Sequence, residues 1–297
     1  MDAPTSRSEA PKAPTRLELP SELPELAARI HDREAASGHP IVVAIAGGTS
    51  TGKSTFVAEP LRVALGGDAR LVAQDMQQRR SPAAMDPRWA WDDPANYGIE
   101  ACVEAIERFR RRQAFAWPRY HFATRTHGEP ESIKPGRILL LEGLYAACGS
   151  LREAVDIVVY VEARAIVRLV RRMLRNEHER YPGLAVAGST GGRFLGTVLA
   201  AHRACVRPQR EDADFVVQTA PEFAHLQSRF RLEALPIQEA ADPRRRVAFD
   251  AETTVSTVEL EDGRLRLRIH WRDRCVLDTP FEPEAADAFD GFDPDET

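Results

Sequence analysis

Residues 40–54 read PIVVAIAGGTSTGKS, and this stretch decides how the chain folds. Its first part, residues 41–46, is a continuous apolar run rich in β-branched side chains. Such a run is typical of a strand that is buried on both faces, as the strands of parallel sheets are. The run ends at Gly47, and residues 47–54 match the spacing G-x-x-x-x-G-K-[ST], which joins a strand to a helix.

The same loop is predicted to bind the phosphates of a nucleoside triphosphate. Its glycines allow positive φ angles, so backbone N–H groups can turn inward around an anion at the positive end of the next helix. Lys53 can reach the β- and γ-phosphates, and the hydroxyl of Ser54 can ligate Mg²⁺. The alternative, an incidental glycine-rich turn, is disfavoured because strand, loop and helix follow in the required order. The predicted nucleotide contacts are Gly47, Gly48, Thr49, Ser50, Thr51, Gly52, Lys53, Ser54 and Thr55.

Composition limits the other classes of function. The chain has 297 residues, enough for one large α/β domain and a small appendage. Its net charge of −5 argues against a general nucleic-acid or anionic-membrane binder. We find no run of about 18 apolar residues and no hydrophobic signal core near the N-terminus. The four scattered cysteines predict reduced thiols, and therefore a cytoplasmic protein.

Changes in composition along the chain predict one large domain with extensions. We expect an α/β fold, a P-loop NTPase three-layer sandwich with a mostly parallel sheet, followed by a small C-terminal β-rich appendage. In that appendage, residues 254–258 and 265–271 read as a hairpin, whose arginine-bearing face is expected to be solvated. The predicted divisions are a disordered segment 1–20, the P-loop domain 21–221, the β-rich extension 222–283 and an acidic tail 284–297.

Acidic residues follow two further predicted strands. Asp75 comes after the apolar residues 71–73, and Glu142 ends the run RILLLEG at 137–143. Ligands of open parallel sheets bind at the carboxyl ends of strands, so Asp75 is a candidate catalytic base. Glu142 is a candidate either for holding Mg²⁺ through water or for orienting the base, and Ser54 and Asp75 complete the predicted metal site. The structural alternatives are a helix cap or a solvated loop carboxylate.

Two segments later in the chain indicate how a transferring phosphate could be enclosed. The predicted helix 164–180 carries many arginines, and we expect at least one of its inner arginines to neutralise the phosphate rather than face solvent. The glycine-rich residues 181–192 that follow suit a lid. The irregular residues 76–97, with two tryptophans and Tyr97, suit either a substrate wall or a structural loop.

Taken together, these landmarks resemble the uridine kinase and phosphoribulokinase family of P-loop kinases, and uridine kinase most closely. The resemblance covers about residues 40–220 and rests on an ordered set of motifs, which is far more specific than the P-loop alone. The matching positions are Gly47 to Ser54, Gln74-Asp75, Asp92-Asp93-Pro94, Pro118 with Tyr120 and Phe122, Glu142-Gly143, Arg168 to Arg172, and Pro208 with Ala213-Asp214.

The resemblance implies ATP and Mg²⁺ as cofactors, and it implies that Asp75 deprotonates an acceptor hydroxyl. Asp92 would hold ribose hydroxyls, and Arg125 stands near the place where uridine kinases have a histidine beside the pyrimidine. The predicted catalytic residues are Asp75, Lys53 and Arg171, and the predicted substrate contacts are Asp92, Tyr120, Phe122, Arg125 and Arg168.

The expected function is therefore ATP-dependent transfer of the γ-phosphate to a hydroxyl of a small molecule, with a nucleoside favoured. Pantothenate or a sugar phosphate is the runner-up acceptor, since Arg125 could face an anionic substrate. A third reading is a regulatory P-loop ATPase switch without a small acceptor, in which the arginine-bearing hairpin binds a protein. We expect no nucleic-acid or membrane partner, and the sequence leaves a homo-oligomer open.

Overall fold

The computed structural model describes residues 13–19, 21–78, 92–122, 124, 126–163, 165–176, 194, 198–219, 246–248, 253–259, 265–271 and 274–281. Its strands are β1 (Thr15–Leu19), β2 (Ile41–Gly47), β3 (Ala69–Ala73), β4 (Phe115–His121), β5 (Thr126–Ile133), β6 (Ile138–Gly143), β7 (Ile157–Glu162), β8 (Phe215–Thr219), β9 (Arg246–Ala248), β10 (Thr253–Glu259), β11 (Leu265–Trp271) and β12 (Arg274–Phe281). Its α-helices are α1 (Leu23–Ser37), α2 (Glu59–Leu65), α3 (Ile99–Arg110), α4 (Ser150–Ala154), α5 (Ala165–Arg175) and α6 (Leu199–Ala201).

A six-stranded parallel sheet forms the centre, in the order β1–β8–β7–β2–β6–β3. Strand β2 lies between β7 and β6, and all seven of its residues are buried. Alternate β2 side chains serve two separate cores: Val42 packs with α3 and α4 on one face, and Val43 packs with α1 and α2 on the other. This arrangement confirms the predicted three-layer α/β sandwich, because both faces of a parallel sheet must be covered.

The helix after the P-loop is less regular than the sequence predicts. Residues Lys53–Ala58 wind as a π-helix before α2 continues to Leu65, although the pattern predicts one helix from Lys53 to Leu65. A second π-helical segment, His202–Val206, follows α6 and leads into a 3₁₀ turn at Arg207–Arg210. Within the described part of the chain, we find no helix long and apolar enough to cross a membrane.

The N-terminal segment corrects one prediction. Disorder was expected over residues 1–20, but residues 15–19 form β1, which pairs in parallel with β8 along its whole length. Leu17 and Leu19 are buried against the core that contains α1 and α2. The physical reason is the alternation in TRLEL, which gives a short strand one apolar face for the open edge of β8. Residues 1–12 and 20 lie outside the described residues.

A β-hairpin made by β4 and β5 lies beside the end of β3, and the sequence pattern did not predict it. Phe115 and Trp117 are buried in the core that also contains α3. The indole Nε1 of Trp117 donates to the backbone oxygen of Ala73 at 3.1 Å, and the backbone N–H of Tyr120 contacts Sδ of Met76 at 3.3 Å. The hairpin is thus attached to the segment that carries Asp75.

The C-terminal region contains a four-stranded antiparallel sheet in the order β12–β11–β10–β9, and β10 with β11 forms the predicted hairpin. The expectation of a solvated arginine face is wrong for Arg268, which is buried. Its Nε donates to Oδ2 of Asp278 at 3.1 Å, and Nε of Arg266 donates to Oδ1 of Asp278 at 2.5 Å. Asp278 faces Arg268 across β11 and β12, so the buried guanidinium has a counter-charge that strand periodicity alone does not reveal.

Candidate active site

The P-loop leaves the carboxyl end of β2 and closes around the side chain of Lys53. Gly52 has a φ of +94°, which a residue with a side chain rarely adopts, and a Cβ there would also clash with Phe56. The Nζ atom of Lys53 donates to the backbone oxygens of Gly47 at 2.8 Å and Gly48 at 2.9 Å. The loop is therefore a tight cradle with a buried ammonium group at its base.

Electrostatics join Lys53 to two carboxylates. Burial lowers the pKa of Lys53, while the negative charges of Glu142 and Asp75 act to raise it. Burial raises the pKa of Glu142, and the charge of Asp75 raises it further, whereas Lys53 opposes both. The structure thus brings these three residues, which come from separate stretches of sequence, into one electrostatic cluster at the carboxyl ends of β2, β6 and β3.

Ser54 and Glu142 form a pair of oxygen ligands suited to a divalent cation. The hydroxyl of Ser54 donates to Oε1 of Glu142 at 3.0 Å. A hydroxyl and a carboxylate are ligands that Mg²⁺ takes in nucleotide sites, with water and phosphate oxygens completing the coordination. The residues present therefore fit a magnesium ion. Among the described residues, no cluster of three His, Cys, Asp or Glu side chains offers an all-protein metal cage.

Asp75 lies in the first turn after β3, in the 3₁₀ segment Gln74–Gln77. Its Oδ1 atom is buried and has no hydrogen-bond partner among the described residues. A carboxylate oxygen in that state is available to accept a proton or a hydrogen bond from a ligand. The position agrees with the predicted catalytic base, whose assignment stays a prediction.

Helix α5 directs two of its arginines to different parts of the P-loop. Arg168 is buried against Gly48, where a Cβ would clash with its guanidinium, and its Nε donates to the backbone oxygen of Thr49 at 3.1 Å. Its Nη2 is buried without a partner among the described residues, and burial lowers its pKa to about 10. This guanidinium can meet a phosphate held by the loop, because Nη2 lies next to the P-loop glycine.

Arg171, predicted to be catalytic, has a different environment. Its Nη1 donates to the backbone oxygen of Thr51 at 3.1 Å and to Oγ1 of Thr219 at 3.3 Å. Its guanidinium carbon lies 5.1 Å from the centre of the Phe56 ring. Oγ1 of Thr219 also donates to the oxygen of Thr51 at 2.8 Å, so β8, the P-loop and α5 meet here. These contacts give Arg171 a role in holding the loop.

The predicted acceptor residues are only partly brought together. Asp92 forms an ion pair with Arg172, and its backbone oxygen accepts a hydrogen bond from the hydroxyl of Tyr145. Tyr120 is buried, and its ring lies edge-on to Phe122, with centroids 5.1 Å apart. Arg125, the glycine-rich residues 181–192 and the acidic tail 284–297 lie outside the described residues.

Gln74 matches the family motif before Asp75, but its sequence position predicts no role for its side chain. It is fully buried, and its Oε1 accepts a hydrogen bond of 2.9 Å from the backbone N–H of Tyr145. A Cβ on Gly143 would clash with the Gln74 side chain, which explains a glycine after Glu142. The only signal in the sequence is its place directly before Asp75, since no periodicity marks a buried glutamine.

Comparison with known proteins agrees with this geometry. Residues 42–225 match the family model described as "Phosphoribulokinase / Uridine kinase family". Uridine kinases from Staphylococcus haemolyticus (strain JCSC1435) and Staphylococcus aureus (strain JH9) are each 26% identical over 181 residues, which cover 59% of this chain and 86% of each relative.

Among solved structures, a candidate fructose transport system kinase from Silicibacter sp. TM1040 has a TM-score of 0.55 and 21% identity. The match covers 65% of this chain and 98% of that chain, which supports the fold. The family model spans more than half of the sequence, and it includes the P-loop, Asp75, Glu142 and α5. This chain therefore belongs to the phosphoribulokinase / uridine kinase family.

Proposed function

We propose that this protein is an ATP- and Mg²⁺-dependent kinase that transfers the γ-phosphate to a hydroxyl of a small molecule, most readily a nucleoside. The observation that carries this proposal is the cluster of Lys53, Glu142 and Asp75 at one edge of the sheet, with Ser54 bonded to Glu142. A phosphate-binding cation, a pair of metal ligands and a carboxylate with a buried, unpaired oxygen are the parts that phosphoryl transfer requires.

The donor half consists of the P-loop amides, Lys53 and the Ser54–Glu142 pair. Lys53 would exchange its bonds to the oxygens of Gly47 and Gly48 for the β- and γ-phosphates. Ser54 and Glu142 would hold Mg²⁺, which when bound neutralises charge on the phosphates. Little covalent chemistry is needed, because positioning and charge neutralisation supply most of the rate enhancement.

Asp75 would act as general base at its Oδ1 atom. The acceptor O–H would donate to this oxygen, and the proton would pass to the carboxylate as the hydroxyl oxygen bonds to the γ-phosphorus. The bond between the γ-phosphorus and the bridging oxygen would break in the same step, and ADP would leave with that oxygen. Arg168 would meet the phosphate through its unpaired Nη2 and so counter its negative charge. Enclosure of the site would exclude water, which otherwise competes with the acceptor for the phosphate.

The acceptor class is supported by relatives and by one aromatic pair. The curated relatives are uridine kinases, and Tyr120 with Phe122 provides edge-on aromatic rings of the kind that can pack against a planar base. A sugar is the second candidate, favoured by the fold match to a candidate fructose transport system kinase. We also infer a cytoplasmic location, where ATP is supplied and where the four cysteines, which are scattered along the sequence, stay reduced.

An acceptor panel tests the proposal. The protein is incubated with ATP and Mg²⁺ alone, and then with nucleosides, hexoses, pantothenate or sugar phosphates, while ADP release is measured. Acceptor-dependent release supports a kinase, and equal release without any acceptor would indicate a nucleotide-dependent switch instead. Replacing the base by Asp75→Asn should lower turnover more than about tenfold, or about 1.4 kcal/mol of barrier, and a smaller loss would contradict the assignment.

A further inference from the structure

Two buried glutamines hold the segment that follows β6, and they hold it in the same way. Oε1 of Gln74 accepts a hydrogen bond of 2.9 Å from the backbone N–H of Tyr145. Oε1 of Gln209 accepts one of 2.9 Å from the backbone N–H of Ala147. Both side chains are almost completely buried. The two glutamines therefore make the same contact with the backbone, and Gln209 can serve as a reference for Gln74.

The amide nitrogens of the two glutamines differ. Nε2 of Gln209 donates to the backbone oxygen of Leu144 at 2.7 Å and lies 3.3 Å from the oxygens of Cys205 and Val206. Nε2 of Gln74 is buried without a hydrogen-bond acceptor among the described residues. Burying a donor without an acceptor is energetically unfavourable, so its presence needs a reason. Both the oxygen and the nitrogen of the Gln209 amide form hydrogen bonds, whereas among the described residues only the oxygen of the Gln74 amide does so.

Gln74 lies where the two carboxylate-bearing strand ends meet. It directly precedes Asp75, while Ala73 on its other side is in register with Glu142 of the adjacent strand. Gly143 leaves room for the Gln74 side chain, because any Cβ there would clash with it. The Gln74 side chain therefore packs on the residue that directly follows Glu142.

Asp75 supplies the matching unpaired atom. Its Oδ1 is buried and lacks a hydrogen-bond donor among the described residues, while the neighbouring Gln74 lacks an acceptor. A single oxygen that accepts one hydrogen bond and donates another would satisfy both atoms. A hydroxyl group or a water molecule has this property, whereas an unprotonated phosphate oxygen has no proton to donate.

We propose that Gln74 is a positioning residue for phosphoryl transfer, and that its amide donates to a hydroxyl-type oxygen whose own proton faces Asp75. The inference rests on the proposed function, because it takes Asp75 as the base. A hydrogen bond to the lone pair of the oxygen turns its O–H bond toward the carboxylate. Orientation of reacting groups in this way supplies a large part of the rate enhancement of a transfer reaction. The oxygen belongs to the acceptor or to one ordered water, and the two sources share this chemistry.

The test compares Gln74→Met with Gln209→Met, since methionine keeps the volume of glutamine and removes its polar atoms. We measure kcat and KM for the acceptor, the affinity for MgADP by calorimetry, and Tm. Both variants should lose stability and keep MgADP affinity within about twofold, but only Gln74→Met should lose more than about tenfold in kcat/KM. A raised acceptor KM identifies the oxygen as the acceptor hydroxyl, and a fall in kcat alone identifies an ordered water.

Gln74→Glu provides the second variant. Its fully buried carboxyl would lie beside Asp75 and Glu142 and would favour the protonated form, which keeps an oxygen for the N–H of Tyr145 and a proton to donate, so we expect more activity than in Gln74→Met. Wild-type activity in Gln74→Met would overturn the inference, and so would activity in Gln74→Glu no higher than in Gln74→Met or an equal loss in Gln209→Met. If the wild type binds MgADP but phosphorylates no acceptor, the proposed function fails as well. If Asp75→Asn is inactive and Gln74→Met is active, only this inference fails.

Discussion

Arg172 and Asp92 form an ion pair in which Nη1 lies 2.9 Å from Oδ2, and both side chains are nearly buried, with 13% and 12% exposed. The pair joins α5 to the segment before the turn at Pro94–Asn96. Asp92, predicted to hold the hydroxyls of the acceptor, is therefore already paired with a cation. An acceptor that uses Asp92 must share it with Arg172 or displace Arg172 from it.

Replacing this acid by Asp92→Asn should raise the acceptor KM by about tenfold or more and leave MgADP affinity unchanged. The variant also leaves the Arg172 guanidinium without its counter-charge, which we expect to cost about 1–3 kcal/mol, less than a fully buried pair. Initial-rate kinetics and thermal unfolding measure the two effects. Glu131→Gln, which breaks the exposed pair with Arg119, is the control and should change neither. An unchanged KM in Asp92→Asn would remove Asp92 from the acceptor site.

Arg168 and Arg171, both buried on α5, should differ in role: we expect Arg168 to contact the phosphate and Arg171 to stabilise the P-loop. Arg168→Lys is expected to lower kcat by about 10²-fold, because a lysine cannot reproduce a guanidinium fitted against the P-loop glycine. Arg171→Lys should lower Tm and change kcat less, since Arg171 bonds Thr51 and Thr219 and packs on Phe56. Steady-state kinetics and thermal unfolding on both variants provide the measurement. The reverse ranking of kcat would restore Arg171 as the catalytic arginine.

Ionised Glu142 should lower the stability of the metal-free fold, although the reaction needs it as a ligand for Mg²⁺. Burial raises its pKa, so folding favours the protonated carboxyl more than the unfolded chain does. Its stabilising contribution is complete below the unfolded pKa near 4.5 and is lost as pH rises through the raised folded pKa. Glu142→Gln, which mimics the protonated acid, should therefore raise Tm at pH 7 with EDTA present, where a gain of about 1 kcal/mol corresponds to about 2–4 °C.

The same Glu142→Gln variant should lose Mg²⁺-dependent turnover, because an amide oxygen is a poorer ligand for a hard cation than a carboxylate. Its advantage in Tm should shrink as the pH is lowered toward 4.5, where the wild-type carboxyl is itself protonated. Thermal unfolding across pH 4.5–8 and a Mg²⁺ titration of activity check both statements. A lower Tm at pH 7 would show that Glu142 stabilises the metal-free fold.

The N-terminal strand should contribute directly to stability. Leu17 is buried against the α1 and α2 core, so Leu17→Ala should cost about 2–3 kcal/mol. Arg16→Ala, on the other face of β1, is the neighbouring control and should cost less than about 0.5 kcal/mol. Urea unfolding of both variants measures the change in the free energy of unfolding. Equal stability of Leu17→Ala and the wild type would mean that β1 adds nothing to the folded domain.

Much of the fold could be predicted because its elements are marked by local patterns. The run at residues 41–46 identifies a strand buried on both faces, and the ends of residues 71–73 and 137–143 place Asp75 and Glu142 at the ligand edge. Strand β1 was missed because five residues in a Pro- and Ser-rich segment carry a weak signal. The β4–β5 hairpin was missed because its residues show no strict alternation.

The site was predictable where a residue type must stand at a set position along the chain. Lys53 and Ser54 follow from the P-loop spacing, since only that order brings an ammonium and a hydroxyl to the phosphates. The partner of each arginine was not predictable, because Arg168 and Arg171 are three residues apart and contact different residues of the P-loop. Residues three apart lie about 60° apart on the same face of a helix, so the spacing indicates that both arginines face the P-loop but does not tell which loop residue each contacts.

The sequence by itself determined the strand–loop–helix at residues 40–54, because backbone conformation and phosphate binding there depend on local residue types. Only the tertiary structure decided that Asp92 pairs with Arg172, that Arg268 is buried beside Asp278, and that Gln74 binds the backbone of Tyr145. These relationships join residues on different segments of the fold. Their energies come from burial and hydrogen-bond geometry, which exist only once the sheet has assembled.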